Sequence, residues 1–310
     1  MKQTILLGCV AALSFTSCIN DSHDAESSNI VRLAIEGVGA QTVTRANTTE
    51  DLQNTQFVSG KSIYVEAYET GETTTYTTAT YTTTSTPGNT SGSIQLSGTM
   101  YYPSSQANID ICAYYPSDVS SSTTTFYVGD DQTTAAKYQL YDLMYATRLT
   151  DKAKGSTHAL TFNHALTKIV VNLKAGNGLS DSDITGKVTA VKINNTILKA
   201  DLTISGGEIS ASKDSEESAT DIDITGATKT NHTGIIVPQT LTEGTTFITV
   251  TYNNNALTYA IPSGGKTFAA GAVYTYNFTV NAQGILLEST EINNWNSTGE
   301  DKTIGDNLII

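Results

Sequence analysis

The chain has 310 residues, with 30 acidic side chains against 17 basic ones and a formal net charge of −13. That balance argues against nucleic acid and anionic lipid as partners, since both are polyanions, and the length accommodates two domains of ordinary size. Its cysteines are Cys9, Cys18 and Cys112, too few and too scattered for a disulfide framework.

Residues 1–17 read as a signal peptide: Lys2 precedes the apolar stretch Ile5 to Phe15, and the small residues Thr16 and Ser17 lead directly into Cys18. A run this short cannot cross about 30 Å of hydrocarbon, and no later stretch approaches the roughly 20 apolar residues of a membrane span. Small residues directly before a cysteine resemble the lipobox of bacterial lipoproteins, although Phe15 stands where leucine is commoner. Cys18 is then the acylated residue, and several acyl chains would hold the chain to a bilayer far better than one. An ordinary secretory signal with an incidental cysteine is the competing reading. Residues 18–29, polar and acidic, read as a flexible tether.

From residue 30 onward the signal is period-two alternation. Val31, Leu33 and Ile35 alternate with polar or small neighbours, as do Ile63, Val65 and Ala67. The same grammar predicts strands over 93–97, 109–115, 125–128, 160–173, 188–193, 202–204, 246–252, 257–261 and 273–280. Pro87-Gly88-Asn89, Gly206-Gly207, Asn253-Asn254-Asn255 and Ser263-Gly264-Gly265 supply turn chemistry between them. Many short strands without interleaved helices predict an all-β chain of two antiparallel β-sandwiches. The polar interruption Asp151 to Ser156 divides it into an N-terminal domain at 30–153 and a C-terminal domain at 154–310.

Between Thr70 and Ser91 the Thr- and Tyr-rich run Thr73 to Thr84 reads as an exposed edge hairpin, or as a contact surface for a glycan or protein that uses tyrosine faces. Tyr101-Tyr102 and Tyr114-Tyr115 read as strand ends packed under loops, and Cys112 as a small buried core residue.

Catalytic and metal signatures do not form. Gly60-Lys61-Ser62 and Gly265-Lys266-Thr267 resemble the ends of phosphate-binding loops, but Thr55 and Ala260 stand where the first glycine would be required. His23, His158, His164 and His232 have no partner at a ligand spacing. Asp181-Ser182-Asp183 lacks the glycine and terminal glutamate of a calcium loop and reads as a solvated turn or a loop cation site. No Gly-x-Ser-x-Gly elbow occurs. The chain is therefore expected not to be an enzyme, with no catalytic residue, metal or cofactor assigned.

Two stretches carry a resemblance to a known family: Asp142-Leu143-Met144-Tyr145-Ala146 followed by Leu160 to Val171, which includes Phe162, His164 and Lys168; and Gly271 to Val280 followed by Ile292 and Trp295. In this order they resemble the fimbrillins of the type V pilin class, Mfa-like surface proteins of Gram-negative anaerobes. The resemblance implies two transthyretin-like sandwiches with Greek-key connections, export as a lipoprotein to the outer membrane, and surface proteolysis after an arginine. A groove so opened would receive a strand from a neighbouring subunit. It implies cleavage between Arg45 and Ala46; Arg45 is the only basic residue between Arg32 and Lys61. It also implies a C-terminal donor strand, for which Ile304, Leu308 and Ile310 lie at even spacing, interrupted at Asp306, and it makes His164 structural. The expected function is a structural subunit or adhesin of surface fimbriae, with other fimbrial subunits as partners and a host or bacterial surface glycan or protein as receptor. A monomeric glycan-binding surface lipoprotein is the alternative, and a secreted hydrolase with an unrecognised site a third.

Overall fold

The computed structural model describes residues 29–38, 57, 59–84 and 94–295 and the backbone of 303–305. Its first elements are β1 (Arg32–Val38), β2 (Ser62–Glu69), β3 (Thr75–Thr84), β4 (Ile94–Ser97), β5 (Ile109–Tyr115), β6 (Thr125–Tyr127), helix α1 (Ala135–Tyr138), β7 (Met144–Ala146), β8 (Leu149–Lys152) and β9 (Thr157–His164). There follow β10 (Thr167–Ala175), helix α2 (Asp181–Lys187), β11 (Val188–Thr196), β12 (Lys199–Ser205), β13 (Glu208–Lys213), β14 (Thr220–Asp223) and β15 (Asn231–Ile236). The last are β16 (Gln239–Leu241), β17 (Thr246–Tyr252), β18 (Asn255–Ala260), β19 (Lys266–Phe268), β20 (Ala272–Asn281), β21 (Gly284–Asn294) and β22 (Thr303–Gly305). The chain is all-β, as its alternation predicts.

The first region differs from an open sandwich. Its pairings run β2-β3-β4-β1-β9-β7-β5 and then return from β5 to β2, with β8 beside β5. Each strand of this closed circuit has partners on both sides, so the circuit hides its edges. The alternation fills its interior with Val31, Leu33, Ile35, Ile63, Val65, Ile111, Leu160 and Phe162, all essentially buried. Phe57 packs edge-on against Tyr115 and Phe162, with ring centroids 5.2 and 4.9 Å apart.

The second region contains a five-stranded sheet, β15-β10-β20-β21-β22, and a four-stranded one, β14-β11-β17-β18. Their apolar faces share one core, where Phe247 of β17 meets Tyr276 of β20 at 5.5 Å and Tyr259 of β18 meets Phe278 of β20 at 5.3 Å. Two-residue turns at Gly206-Gly207 and Asn253-Asn254 take positive φ throughout and join hairpins in the register Ser205↔Glu208 and Tyr252↔Asn255. Such turns twist with the strands they connect.

Several expectations change. The 160–173 run is two strands: β9 completes the first circuit, and β10 is central in the second region. The chain crosses at Ala165 and Leu166, whose backbones bond Leu143 of one side and Gly271 of the other, and unbroken burial from His164 to Ile169 hides the change of face. The boundary expected between residues 153 and 154 therefore falls short of β9. In the other direction β6 pairs with β12, and Val119, Val128 and Leu143 sit in the second core. The strands are not all antiparallel either, because β1 runs parallel to β9 and β10 parallel to β20.

Candidate functional site

Strand β1 is the centre of interest. It lies between β4, with Leu33 opposite Leu96, and β9, where the pairing extends from Arg32↔Thr157 to Val38↔Phe162 with an irregularity between Ile35 and Gly37. Val31, Leu33 and Ile35 are buried, and Arg32 and Glu36 are exposed. The Tyr81 hydroxyl donates to the Val31 carbonyl at 2.8 Å, and the Val31 N–H donates to the Met100 carbonyl at the same distance. Burial drives the Tyr81 phenol well above its ordinary pKa, so it remains a neutral donor. Taking β1 away would strip paired backbone from both β4 and β9 and uncover an apolar slot.

At the opposite end of the chain, β22 pairs, among the described residues, only with β21, Ile304 opposite Glu291, at the outer edge of the five-stranded sheet. Leu308 and Ile310 lie outside the described residues, as do Cys18, Arg45 and Ala46.

The residues behind the family resemblance meet at one place. His164, the last residue of β9, gives its Nδ1 hydrogen bond to Asp142 Oδ1 at 2.7 Å. Both side chains are almost fully buried. The imidazole stacks on the Trp295 indole at 3.6 Å between centroids and 9° between planes, and Lys168 Nζ lies 5.8 Å from the same indole. Trp295 itself follows β21 and is tied by its backbone N–H to the Gly271 carbonyl at 2.7 Å. The cluster joins the end of β9 to the start of β10 and the end of β21. Distant sequence positions carry these residues, and only the tertiary contact reveals that they act together.

The Thr-rich segment keeps the hairpin expected of it but not the open tyrosine surface. It forms β3, the second arm of an antiparallel hairpin with β2, and pairs with β4 only over Thr82–Thr84, so that among the described residues its first seven residues have a strand partner on one side alone. Tyr81 is buried, and Tyr76 donates its hydroxyl to the Tyr101 carbonyl at 3.0 Å, so these rings form no open aromatic platform. Tyr102, Tyr114 and Tyr115 are buried, whereas Tyr101 is half exposed.

Asp181-Ser182-Asp183 is neither a loop nor a cation site but the first turn of α2. There Asp183 Oδ2 accepts from the Ser180 N–H at 2.8 Å, and Asp183 Oδ1 pairs with Lys187 one turn on at 2.8 Å. Gly60-Lys61-Ser62 and Gly265-Lys266-Thr267 each lead into a strand, β2 and β19, with no helix to present to phosphate. Cys112 is buried in β5, and burial pushes its thiol up to about 11. Among the described residues, no group of three or more His, Cys, Asp or Glu side chains is placed to hold a metal, and no helix is long and apolar enough to cross a membrane.

The chain is similar to other proteins over nearly its whole length. A Bacteroides uniformis protein named "Putative fimbrium subunit Fim1C" is 26% identical over 310 residues, covering 95% of each chain. Among solved structures, a "putative cell adhesion protein" of Bacteroides uniformis superposes with a TM-score of 0.62 at 20% identity, covering 87% of this chain and 98% of that one. A like-named protein of Bacteroides ovatus gives 0.61 at 18% identity, covering 86% and 98%. At these identities the superpositions speak for the fold. The fimbrillin-like family model matches residues 44–295, and the chain belongs to the fimbrillin-like family.

Proposed function

We propose that the chain is a structural subunit or adhesin of cell-surface fimbriae, assembled by strand exchange after proteolytic removal of its N-terminal segment. The observation that carries the reading is β1: an apolar strand built into a closed circuit, followed in the chain by a segment whose sole basic residue is Arg45. Burial of Val31, Leu33 and Ile35 is worth about 1.5–3 kcal/mol each. Their sum, roughly 5–9 kcal/mol, is comparable with the whole net stability of a typical domain, about 5–15 kcal/mol. An emptied β1 slot would therefore bind an incoming apolar strand strongly, pairing its backbone on both sides.

Acylation at Cys18 would hold the precursor at the outer membrane, and cleavage between Arg45 and Ala46 would release β1. The C-terminal segment with Ile304, Leu308 and Ile310 would supply the donor to the next subunit. Transthyretin-like topology with Greek-key connections, and the lack of enzymatic activity, belong to the same reading.

The test is limited trypsin treatment of purified chain, followed by electrophoresis without heating. Cleaved wild type should give SDS-resistant ladders, and Arg45→Ala should fold but remain monomeric. Ladders from Arg45→Ala would eliminate that cleavage site, and a single band from cleaved wild type would overturn assembly by strand exchange.

A further inference from the structure

A cavity of about 360 Å³ opens between α1 and β15, away from β1 and from the C-terminal edge. Its volume falls within the roughly 300–1,000 Å³ of small-molecule sites. Gln132, Thr133 and Tyr138 line one side, Asn231 and Thr233 the other, and Ile224 also contributes. No Asp, Glu, Lys or Arg is among its lining residues.

The floor is fixed. Gln132 is buried; its Nε2 donates to the carbonyls of Gly129 and Ile235 at 3.0 and 2.8 Å, and its Oε1 accepts from the Ile235 N–H at 2.7 Å. With the amide spent on backbone, Gln132 holds the loop before α1 against β15. The turn at Gly226 also closes on β15, so tightly that a Cβ there would stand 2.5 Å from the Asn231 carbonyl oxygen.

Other polar groups remain available. The half-buried Thr233 hydroxyl has no hydrogen-bond partner among the described residues. Asn231 gives its Nδ2 to Asn172 Oδ1 at 2.6 Å, which leaves its own Oδ1 to accept. Beside them stand the half-buried Tyr138 and the apolar Ile224.

We propose that this pocket binds a neutral sugar residue. A pyranose is amphipathic in the way the lining is, offering hydroxyls to Thr233 and Asn231 and a C–H face to Tyr138, over a wall backed by the buried Ile224. An ionic ligand would lose hydration with no countercharge in the wall, and an anion would also meet the net charge of −13. A purely apolar ligand would leave the Thr233 and Asn231 groups desolvated and unpaired. The site stands on different residues from the assembly reading and does not depend on it.

The test is saturation-transfer NMR on the mature chain with the methyl glycosides of glucose, galactose, mannose and N-acetylglucosamine, and with methyl sialoside as the charged control. At least one neutral glycoside should receive saturation. Its affinity should fall about five- to tenfold in Thr233→Val or Asn231→Ala, the worth of one hydrogen bond. Ala227 is exposed on the rim, so Ala227→Trp should block the mouth and abolish transfer with the melting temperature unchanged. Transfer to no neutral glycoside, transfer to the sialoside alone, or transfer undiminished in Ala227→Trp would each overturn the proposal.

Discussion

His164 illustrates how one side chain can hold two regions together. It lies where the first circuit hands the chain to the second, and Asp142 Oδ2 beside it is buried without a hydrogen-bond partner among the described residues. Truncating the imidazole would leave Oδ1 unpaired as well and uncover one face of Trp295. An unpaired buried acceptor and a lost aromatic stack together cost about 2–4 kcal/mol. His164→Ala should be destabilised by that amount in urea unfolding, and His164→Ala with Asp142→Ala by less than the sum of the single changes. Strict additivity would mean that the pair is not coupled. His232 makes a different case: it is buried on β15, and its Nδ1 accepts the Gly226 N–H at 2.9 Å. Burial holds its pKa below the ordinary 6.5, and a protonated ring could not accept that bond. As pH falls the unfolded chain takes up the proton first, so the stabilisation is complete above about 6.5 and is lost progressively below it. His158 is shifted the same way, chiefly by burial. The melting temperature should therefore fall between about pH 7.5 and pH 5.5, and less steeply in His232→Asn; identical slopes would remove His232 as a cause.

Among elements, legibility followed pattern strength. β1, β2, β5, β17 and β20 combine apolar alternation with bounding turns, and their expected positions match the strands observed. β14, β16 and β19 are only three or four residues long, too short for a period to register. β21 runs over eleven residues, of which only Thr290 is buried, while Ile285, Leu287 and Ile292 pack half-buried against the core, and an irregularity opposite Asn277 and Phe278 breaks their alternation. The break between β9 and β10 was invisible for the opposite reason, since apolar side chains continue through it and a fully buried run has no phase to lose. The closure of β5 onto β2, the His164–Trp295 stack and the pocket beside α1 all depend on contacts between residues far apart in sequence. Local periodicity carries no information about such contacts.

At the scale of the molecule, the two ends of the chain are held very differently. β1 is paired on both sides and buries its apolar face inside a closed circuit, whereas β22 has, among the described residues, a single partner, β21, over Thr290–Ile292. A strand held on one edge by three residues is far cheaper to release than one held on two, and loop-like chain ends are where local opening concentrates. This asymmetry suits the proposed order of events: proteolysis is needed to free β1, but nothing covalent need be cut to free the C-terminal segment. Residues 301–310 should then be dispensable for folding and necessary for assembly. A chain ending at Glu300 should show a cooperative thermal melt close to that of the full chain, because the described residues 31–295 already form two extensive cores. After trypsin treatment it should nevertheless stay monomeric, while full-length chain in the same reaction forms ladders. Its emptied slot should still be competent, so that adding intact cleaved subunits incorporates the truncated chain only at the end where a donor segment is free, and shortens the ladder. Normal ladders from the truncated chain alone would show that β22 merely completes its own sheet, and the donor would then have to be sought elsewhere.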